Sequence, residues 1–180
     1  MIELEDRALV QQTLDGNLRA FEAIVDRYQK PVFNIALRML RNADDAEDVA
    51  QVAFLKAYEN LRSYKPGFKF FSWLYRIAMN ESLNFLRQRR PFERMEEARE
   101  AAVLTDEVET AEVAQQIEAA LMRLTVDQRA VVVLKHFEGF SYLEIGQILN
   151  ISEKKVKSRL FAARQILRGV LVKKGFGSND

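Results

Sequence analysis

The sequence predicts an all-α protein of two small helical domains joined by a flexible acidic linker, with a helix-turn-helix in the second domain. Only seven glycines and three prolines interrupt the 180 residues, which favours long helices over many short strands. Apolar residues make up 48% of the chain and charged residues 29%, a globular composition. Apolar residues recur at helical spacing in residues 1–90 and 111–180, whereas residues 91–110 are acidic and contain few large apolar side chains.

The first domain opens with a helix behind a capping residue. Asn17 is a plausible N-cap, because apolar residues follow at helical spacing from Phe21 and Ile24. Pro31 is expected to interrupt or restart this helix, since proline lacks the N–H that a helix interior needs. The helical pattern then resumes over residues 32–40.

Two more helices are expected to complete the first domain. The third follows the acidic segment DDAEDVAQ, where Asp44 or Asp45 is the expected cap because carboxylates suit the positive end of a helix dipole. A loop containing Pro66 and Gly67 ends it, and the fourth helix is expected over about residues 72–89. The residues expected on the inner side of the fourth helix are Trp73, Ile77 and Phe85.

The second domain contains two helix-start signals of the same kind. Thr125 with Gln128, and Ser141 with Glu144, fit the capping box, in which side chain and backbone satisfy each other's amides. Gly139 lies where a helix that begins after Thr125 would end.

The segment SYLEIGQILNISEKKVKSRL, residues 141–160, has the pattern of a helix-turn-helix. Gly146 allows close crossing of the two helices, and Asn150 tolerates the positive φ that the corner requires. Ser152 would cap the second helix, whose first residues would then face base edges in a major groove. The alternative is a simple helical hairpin with a solvated basic face. The residues expected to form the buried seam are Ile145, Leu149, Ile151, Val156 and Leu160.

A net charge of only +1 conceals strong segregation of charge along the chain. Residues 62–90 contain seven basic residues and one acidic residue, and residues 148–174 contain eight basic residues and one acidic residue. Between them, residues 93–112 contain eight acidic and two basic residues. Because local fields rather than net charge govern binding, both basic segments are candidates for contact with nucleic acid.

The first basic segment also contains many aromatic residues. Bases stack on aromatic rings while cations neutralise phosphates, so this mixture suits single-stranded nucleic acid. The alternative is that the aromatics are core residues, which helical spacing favours for Trp73 and Phe85, and for Phe71 as well. The exposed candidates are then the loop from Lys65 to Lys69 and the polar residues Arg76, Asn80, Asn84 and Arg87.

Catalytic and membrane classes have little support in the sequence. There is no cysteine, and His136 is the only histidine, so a histidine triad or a metal cluster would lack partners; His136 is expected to be a partly buried helix residue. No glycine-rich phosphate loop, signal peptide or long apolar run is present. We therefore expect a soluble, cytoplasmic protein with no catalytic residue, cofactor, metal or small-molecule substrate.

The ordered motifs of the chain resemble the extracytoplasmic-function (ECF) branch of the bacterial sigma factors. In the first half the resemblance rests on AFEAIVDRYQKPVFNIALRML, DDAEDVAQVAFLKAYENL and FSWLYRIAMNESLNFLRQRR. In the second half it rests on LTVDQRAVVVLKHFEGFSYLEIGQILNIS and VKSRLFAARQILR. It extends over about residues 17–172, with the acidic segment in the expected place between the two sets of motifs.

The resemblance implies a subunit that is not an enzyme and that directs RNA polymerase core to particular promoters. Residues 1–90 would bind core and recognise and melt the −10 element, residues 91–110 would form a linker threaded through the polymerase, and residues 111–180 would read the −35 element. An anti-sigma factor is a further expected partner. The residues implied for the clamp helices of the largest polymerase subunit are Asp48, Gln51 and Phe54. Those for the −10 element are Lys65, Lys69, Arg76, Asn80, Asn84 and Arg87, and those for the −35 element are Ser152, Lys154, Lys155, Lys157, Ser158, Arg159 and Arg164.

One departure from the family pattern concerns promoter choice. Many relatives have Gly-Thr before the VKSRL string, where this chain has Lys154 and Lys155. Two longer cations at the start of the recognition helix are expected to add phosphate attraction and to alter base preference. Two other functions also fit the sequence: a free-standing regulator whose residues 1–90 sense a ligand, and a helical adaptor that binds only protein.

Overall fold

The computed structural model describes residues 2–89 and 116–173, and within these ranges all regular structure is helical. The chain divides into two units, Met1–Gln88 and Arg89–Asp180. The acidic linker predicted over residues 91–110 lies outside the described residues. The first unit contains α1 (Ile2–Leu14), α2 (Leu18–Leu40), α3 (Ala43–Glu59), a short 3-10 turn (Leu61–Ser63) and α4 (Phe70–Arg89). The second contains a helical segment α5, described over 116–121, then α6 (Val126–Val132), a π-helical turn (Val133–Phe137), α7 (Tyr142–Leu149) and α8 (Glu153–Lys173).

Helix α1 was not predicted from the sequence. A buried cluster of polar side chains binds it to α2 through hydrogen bonds. The Asp6 carboxylate is 1% exposed; it accepts hydrogen bonds from the Tyr28 hydroxyl at 2.6 Å and the Arg27 guanidinium at 2.6 Å. Burial and the bond to Asp6 raise the pKa of Tyr28, so its hydroxyl remains a donor at neutral pH. Helix α1 is acidic and has little amphipathic pattern, but it packs against α2 because the buried Asp6 carboxylate is paired. The hydrogen bond between Asp6 and Arg27 joins residues more than twenty positions apart in sequence.

Helix α2 runs unbroken through Pro31, which corrects the expected interruption. Asn17 caps it as predicted, its side chain accepting a hydrogen bond from the Arg19 N–H. A proline inside a helix costs about 3 kcal/mol, whereas burying one large apolar side chain contributes about 1.5–3 kcal/mol. Burial of several apolar side chains on both sides of Pro31 therefore outweighs the cost of the proline. Its largest fully buried members are Ile24, Val32, Ile35 and Met39.

Helix α3 begins at a different cap from the one predicted. Asn42, rather than Asp44 or Asp45, accepts the capping hydrogen bond, and the two aspartates lie in the first turn. The inner face is built largely of alanine, which lets α3 pack close to α2. The buried alanines are Ala46, Ala50, Ala53 and Ala57.

Helix α4 begins at Phe70, two residues before the predicted start, and its buried face is rotated from the predicted one. Trp73, Ile77 and Phe85 are half-buried rather than central, and Phe85 packs against the alanine-lined contact of α2 and α3. The side chains that α4 buries are Phe70, Leu74, Tyr75, Ala78, Met79, Ser82 and Leu83.

The second unit confirms the predicted caps. Thr125 and Ser141 both form complete capping boxes, with Gln128 and Glu144 respectively. The helix after Thr125 ends in the π-helical turn, and Gly139 follows with φ of 73°, a conformation that glycine adopts without strain. His136 lies in that turn and is exposed, not partly buried as predicted.

Candidate nucleic-acid interface

The corner between α7 and α8 has the geometry of a helix-turn-helix. Asn150 adopts the left-handed conformation, with φ of 53°, and ends α7. A Cβ added to Gly146 would lie 2.8 Å from the Ile151 carbonyl oxygen, so only glycine fits this crossing without a shift of backbone. Ser152 caps α8 by accepting a hydrogen bond from the Lys155 N–H. These features confirm the predicted corner.

Helix α8 buries a narrow apolar face and exposes a basic one. Val156, Leu160 and Ala163 are buried, while the predicted seam residues Leu149 and Ile151 are only half-buried. Six of the seven residues predicted to read the −35 element are exposed: Ser152, Lys154, Lys155, Lys157, Ser158 and Arg164. The unit therefore presents most of the predicted set to solvent from one helix and its cap.

Two of the predicted cations on α8 are held by carboxylates of their own unit. Lys157 Nζ lies 2.8 Å from Glu153 Oε1, and this bond raises the pKa of Lys157. Arg159 pairs with Asp127 at the start of α6, and its side chain is only 19% exposed. Arg159 thus joins α8 to α6, and Lys157 must share its charge between Glu153 and any phosphate.

A second cation lies beside Lys157 on the same surface. The ring of Tyr142 lies 5.1 Å from Lys135 Nζ and 5.7 Å from Lys157 Nζ, both within cation–π range. Lys135 also donates to the Phe140 carbonyl oxygen, so the π-helical turn, α7 and α8 meet here. Partial desolvation of the His136 ring, together with the nearby Arg164 and Lys135, lowers the pKa of this otherwise exposed residue.

The sequence interpretation missed three residues of this surface. Lys135 and Tyr142 were not selected, because only the folded chain brings them beside Lys157. Phe161 is 65% exposed on the outer face of α8, although an apolar residue in a helix suggests burial. The sequence did contain a signal for this exposure, because Phe161 lies one turn after Lys157. The buried residues Val156, Leu160 and Ala163 define one face of α8 and leave residue 161 on the opposite face.

In the first unit, the predicted polar residues of α4 form one stripe. Arg76, Asn80, Asn84 and Arg87 are all exposed, and their spacing of four, four and three residues places them on one helix face. Arg87 donates a hydrogen bond to the Asn84 side chain at 3.3 Å. Within the described residues neither Arg76 nor Asn80 has an ion pair or side-chain hydrogen bond, so their polar groups face solvent.

The loop before α4 has a buried aromatic base. Tyr64 and Phe70 are buried and their rings meet edge to face with centroids 5.3 Å apart, and Trp73 packs against both. Tyr64 and Phe70 are thus core residues and Trp73 is half-buried against them, which favours the alternative that these aromatics pack in the interior. Lys65 and Lys69 are exposed beside them.

The outer face of α3 carries the predicted polymerase contacts only in part. Asp48 and Gln51 are exposed, whereas Phe54 is 8% exposed and packs into the interior. Two apolar residues of the same outer face are exposed instead, Val52 and Leu55, the latter at 58%. Sequence reasoning missed both, because the helix faces are distinguished only once the alanine side is known to be buried.

The part of the chain that the structure describes contains neither a metal-binding cluster nor a membrane-spanning helix. It contains no group of three or more potential metal-binding side chains. No helix within the described ranges is long and apolar enough to cross a membrane.

Family models and related proteins match both units. Residues 24–92 match Sigma-70 region 2, and residues 114–167 match Sigma-70 region 4. The ECF RNA polymerase sigma factor SigW of Bacillus subtilis is 33% identical over 93% of this chain and 97% of its own length. The chain belongs to the ECF sigma factors. The RNA polymerase sigma-H factor of Pseudomonas aeruginosa is 36% identical to this sigma factor, over 91% of the chain and 92% of the relative.

Solved structures support the same family. The structure of CnrH in complex with the cytosolic domain of CnrY matches this sigma factor with a TM-score of 0.71 and 28% identity, over 94% of this chain and 98% of that chain. The sigma factor RpoE in complex with the anti-sigma factor NepR, from Bartonella quintana, matches with a TM-score of 0.70 and 26% identity, over 84% and 96%. The protein is thus a sigma factor acting in transcription initiation, and its family consists of transcription regulators rather than known enzymes.

Proposed function

We propose that this sigma factor divides promoter recognition between its two exposed basic surfaces. The stripe on α4 and the loop before it read and open the −10 element, and the exposed face of α8 with its cap reads the −35 element. The observation that carries the proposal is that each unit of the chain presents its own row of exposed polar and cationic side chains from a helix. Phosphate contacts would position both units, and amides and cations at base edges would supply sequence preference.

The assignment of individual residues follows their surroundings. Lys154, Lys155, Ser158 and Arg164 are the proposed direct contacts of the helix-turn-helix, because they are exposed and have no acidic partner within the described residues. Arg159 is proposed as a positioning residue, since its guanidinium is bound to Asp127. On α4, Asn80 and Asn84 are the proposed readers of bases, because an amide both donates and accepts hydrogen bonds.

Core polymerase is the proposed partner of the outer face of α3. The face has an acidic first half, which includes Asp48, and an apolar second half with Val52 and Leu55 exposed. An exposed apolar stripe beside charge is typical of a protein-binding surface. Phe54 would support this surface from within rather than touch the partner.

An anti-sigma factor is the second proposed protein partner. Two structural relatives above 25% identity were solved with such a partner or with a cytosolic protein domain bound. A partner that covers α3 would prevent binding to core, so the same apolar residues would serve both complexes. We also propose that the protein acts without catalysis, in the cytoplasm, and that residues 91–110 form the linker between its two readers.

Transcription in vitro with purified core polymerase on genomic promoter fragments tests the proposed function. Addition of the full chain should direct initiation at a defined set of start sites, and Leu55→Asp should weaken binding to core without unfolding the chain. Phe54→Leu is the matched interior control and should leave core affinity nearly unchanged. Failure of the wild-type chain to bind core or to direct any initiation would refute the proposal.

A further inference from the structure

Glu81 is the single acidic residue of the first basic segment, and it lies beside the polar stripe on α4. Residues 62–90 contain seven basic residues and this one glutamate. Glu81 directly follows Asn80 and precedes Asn84 by about one helical turn, and these are the two amides proposed to read bases. A free carboxylate at this place would repel the phosphates that the stripe has to approach. DNA binding by α4 therefore does not by itself explain a glutamate at residue 81.

The Glu81 carboxylate is held by a cation from a different helix. Lys56 Nζ, on α3, donates to Glu81 Oε2 at 2.7 Å, and the contact joins residues 25 positions apart in sequence. The Glu81 side chain is 15% exposed and the Lys56 side chain 44% exposed, so the acidic partner is the more shielded of the two. The negative charge beside the stripe is thus balanced by a group that does not belong to α4.

The stability of the first unit does not depend on this ion pair. Partly exposed pairs of this kind contribute little to the free energy of folding. Helix α4 is held instead by apolar side chains, since Phe70, Leu74 and Met79 are fully buried. Phe85, one turn after Glu81, packs against the alanine-lined contact of α2 and α3. Loss of the pair would therefore leave α4 in place and would change the electric field at the stripe.

We propose that Lys56 is a positioning residue for promoter DNA, which acts by neutralising Glu81 and not by touching the DNA. The inference rests on the proposed function, which assigns the stripe on α4 to the −10 element. Removal of Lys56 alone leaves an uncompensated negative charge beside Asn80 and Asn84. Removal of both charges restores the balance that the pair provides. A second substitution at Glu81 should therefore cure the defect caused by the first at Lys56.

The test measures promoter binding by holoenzyme made from the full chain. The probe is a promoter found by the transcription assay, and binding is measured at several salt concentrations. Lys56→Met keeps the length of the side chain without its charge, and Lys56→Arg keeps the charge. Glu81→Gln is made alone and together with Lys56→Met. Lys30→Met, at an exposed lysine of α2, is the control for loss of one positive charge from the same unit.

Lys56→Met should lower the affinity of holoenzyme for the promoter about fivefold at low salt, the scale of one unit charge acting near phosphates. Added salt should reduce this ratio to wild type, because it screens the charge. Glu81→Gln should bind at least as tightly as wild type, and the double variant should match Glu81→Gln. Lys56→Arg and Lys30→Met should behave as wild type. Affinity for core and the urea midpoint should change little in every variant.

The inference would be overturned by any of four results that leave the proposed function intact. If Lys56→Met binds the promoter as wild type does, the uncompensated charge does not matter. If the double variant is as defective as Lys56→Met, Lys56 does not act through Glu81. Equal losses with Glu81→Gln and Lys56→Met would mean that the bond orients α4 and that its charge balance is unimportant. A loss of core affinity with Lys56→Met would make Lys56 a polymerase contact.

The proposed function itself has a different failure. If wild-type holoenzyme selected no promoter, or if the wild-type chain did not bind core, the assignment of the stripe to the −10 element would fail before any variant was compared. Wild-type activity together with one of the four results above would reject the role of Lys56 alone.

Discussion

The two basic surfaces of this sigma factor differ in whether their polar and cationic side chains already have partners within the chain. On α8, Lys157 is bound to Glu153 and Arg159 to Asp127, so two of the predicted DNA contacts already have intramolecular partners. On α4, Arg76 and Asn80 face solvent without such partners in the described part of the chain. The Arg159 pair thus joins α8 to α6, and the Lys157 pair lies within α8 itself. The stripe on α4 depends on one uninterrupted helix for its geometry. A count of the basic residues on α8 therefore overestimates the positive charge that is available to bind DNA, because two of them are paired with carboxylates.

The largest expected effect comes from a substitution that disrupts the corner between α7 and α8, on which the basic surface of the second unit depends. Gly146→Val should lower the free energy of unfolding by about 3 kcal/mol, because its Cβ would overlap the Ile151 carbonyl oxygen and its methyl groups have no room. Urea denaturation followed by circular dichroism measures this loss. Gly169→Val is the matched control in α8, where a Cβ meets nothing within 4 Å, and it should change stability little. Equal losses at both positions would contradict the tight crossing.

The next effect concerns the solvent-facing amide of α4. Asn80→Ala should slow promoter opening about tenfold while leaving closed-complex affinity nearly unchanged, because the lost hydrogen bonds are made only to an exposed base edge. Kinetics of open-complex formation, measured beside duplex binding, separate the two steps. Gln88→Ala changes another exposed amide of α4 and should leave both as in wild type. Equal defects of Asn80→Ala in the two steps would contradict its place at the melted element.

A smaller effect distinguishes paired from unpaired cations on α8. Each phosphate contact contributes about 0.9 to the slope of log affinity against log salt concentration. Lys154→Ala should lower the slope of holoenzyme binding to promoter DNA by about that amount, and Lys157→Ala by less, because Glu153 already shares its charge. Glu153→Gln should strengthen binding by releasing Lys157. Identical slopes for Lys154→Ala and Lys157→Ala would mean that the ion pair does not persist on DNA.

The smallest effect is a pH dependence specific to the second unit. Although His136 is exposed, partial desolvation of its ring and the nearby Arg164 and Lys135 lower its pKa from 6.5 in the folded chain, so the unfolded chain binds this proton more readily. The protonated unfolded chain is favoured as pH falls through about 6.5, and folding stability should decrease there. His136→Asn should reduce the decrease in urea midpoint between pH 7.5 and 5.5. An unchanged decrease would show that other groups cause the acid sensitivity.

The sequence alone determined the features that depend on neighbours a few residues apart. The caps at Asn17, Thr125 and Ser141 and the corner at Asn150 are each made by hydrogen bonds or backbone angles within four residues, so their residue types identify them. The fold class follows from helical spacing for the same reason. The order of the motifs was sufficient to indicate the sigma family.

The tertiary structure alone decided which predicted residues are available to a partner. The pair between Arg159 and Asp127 joins residues 32 positions apart, and the bond between Asp6 and Arg27 joins residues 21 apart. Periodicity also misplaced a helix face, since it put Trp73 and Ile77 on the inner side of α4, where both are only half-buried. The family resemblance likewise suggested Phe54 as a partner contact, and the packed chain buries it. Burial depends on which neighbouring helix covers a face, and this is a property of the packed chain that spacing within one helix does not contain.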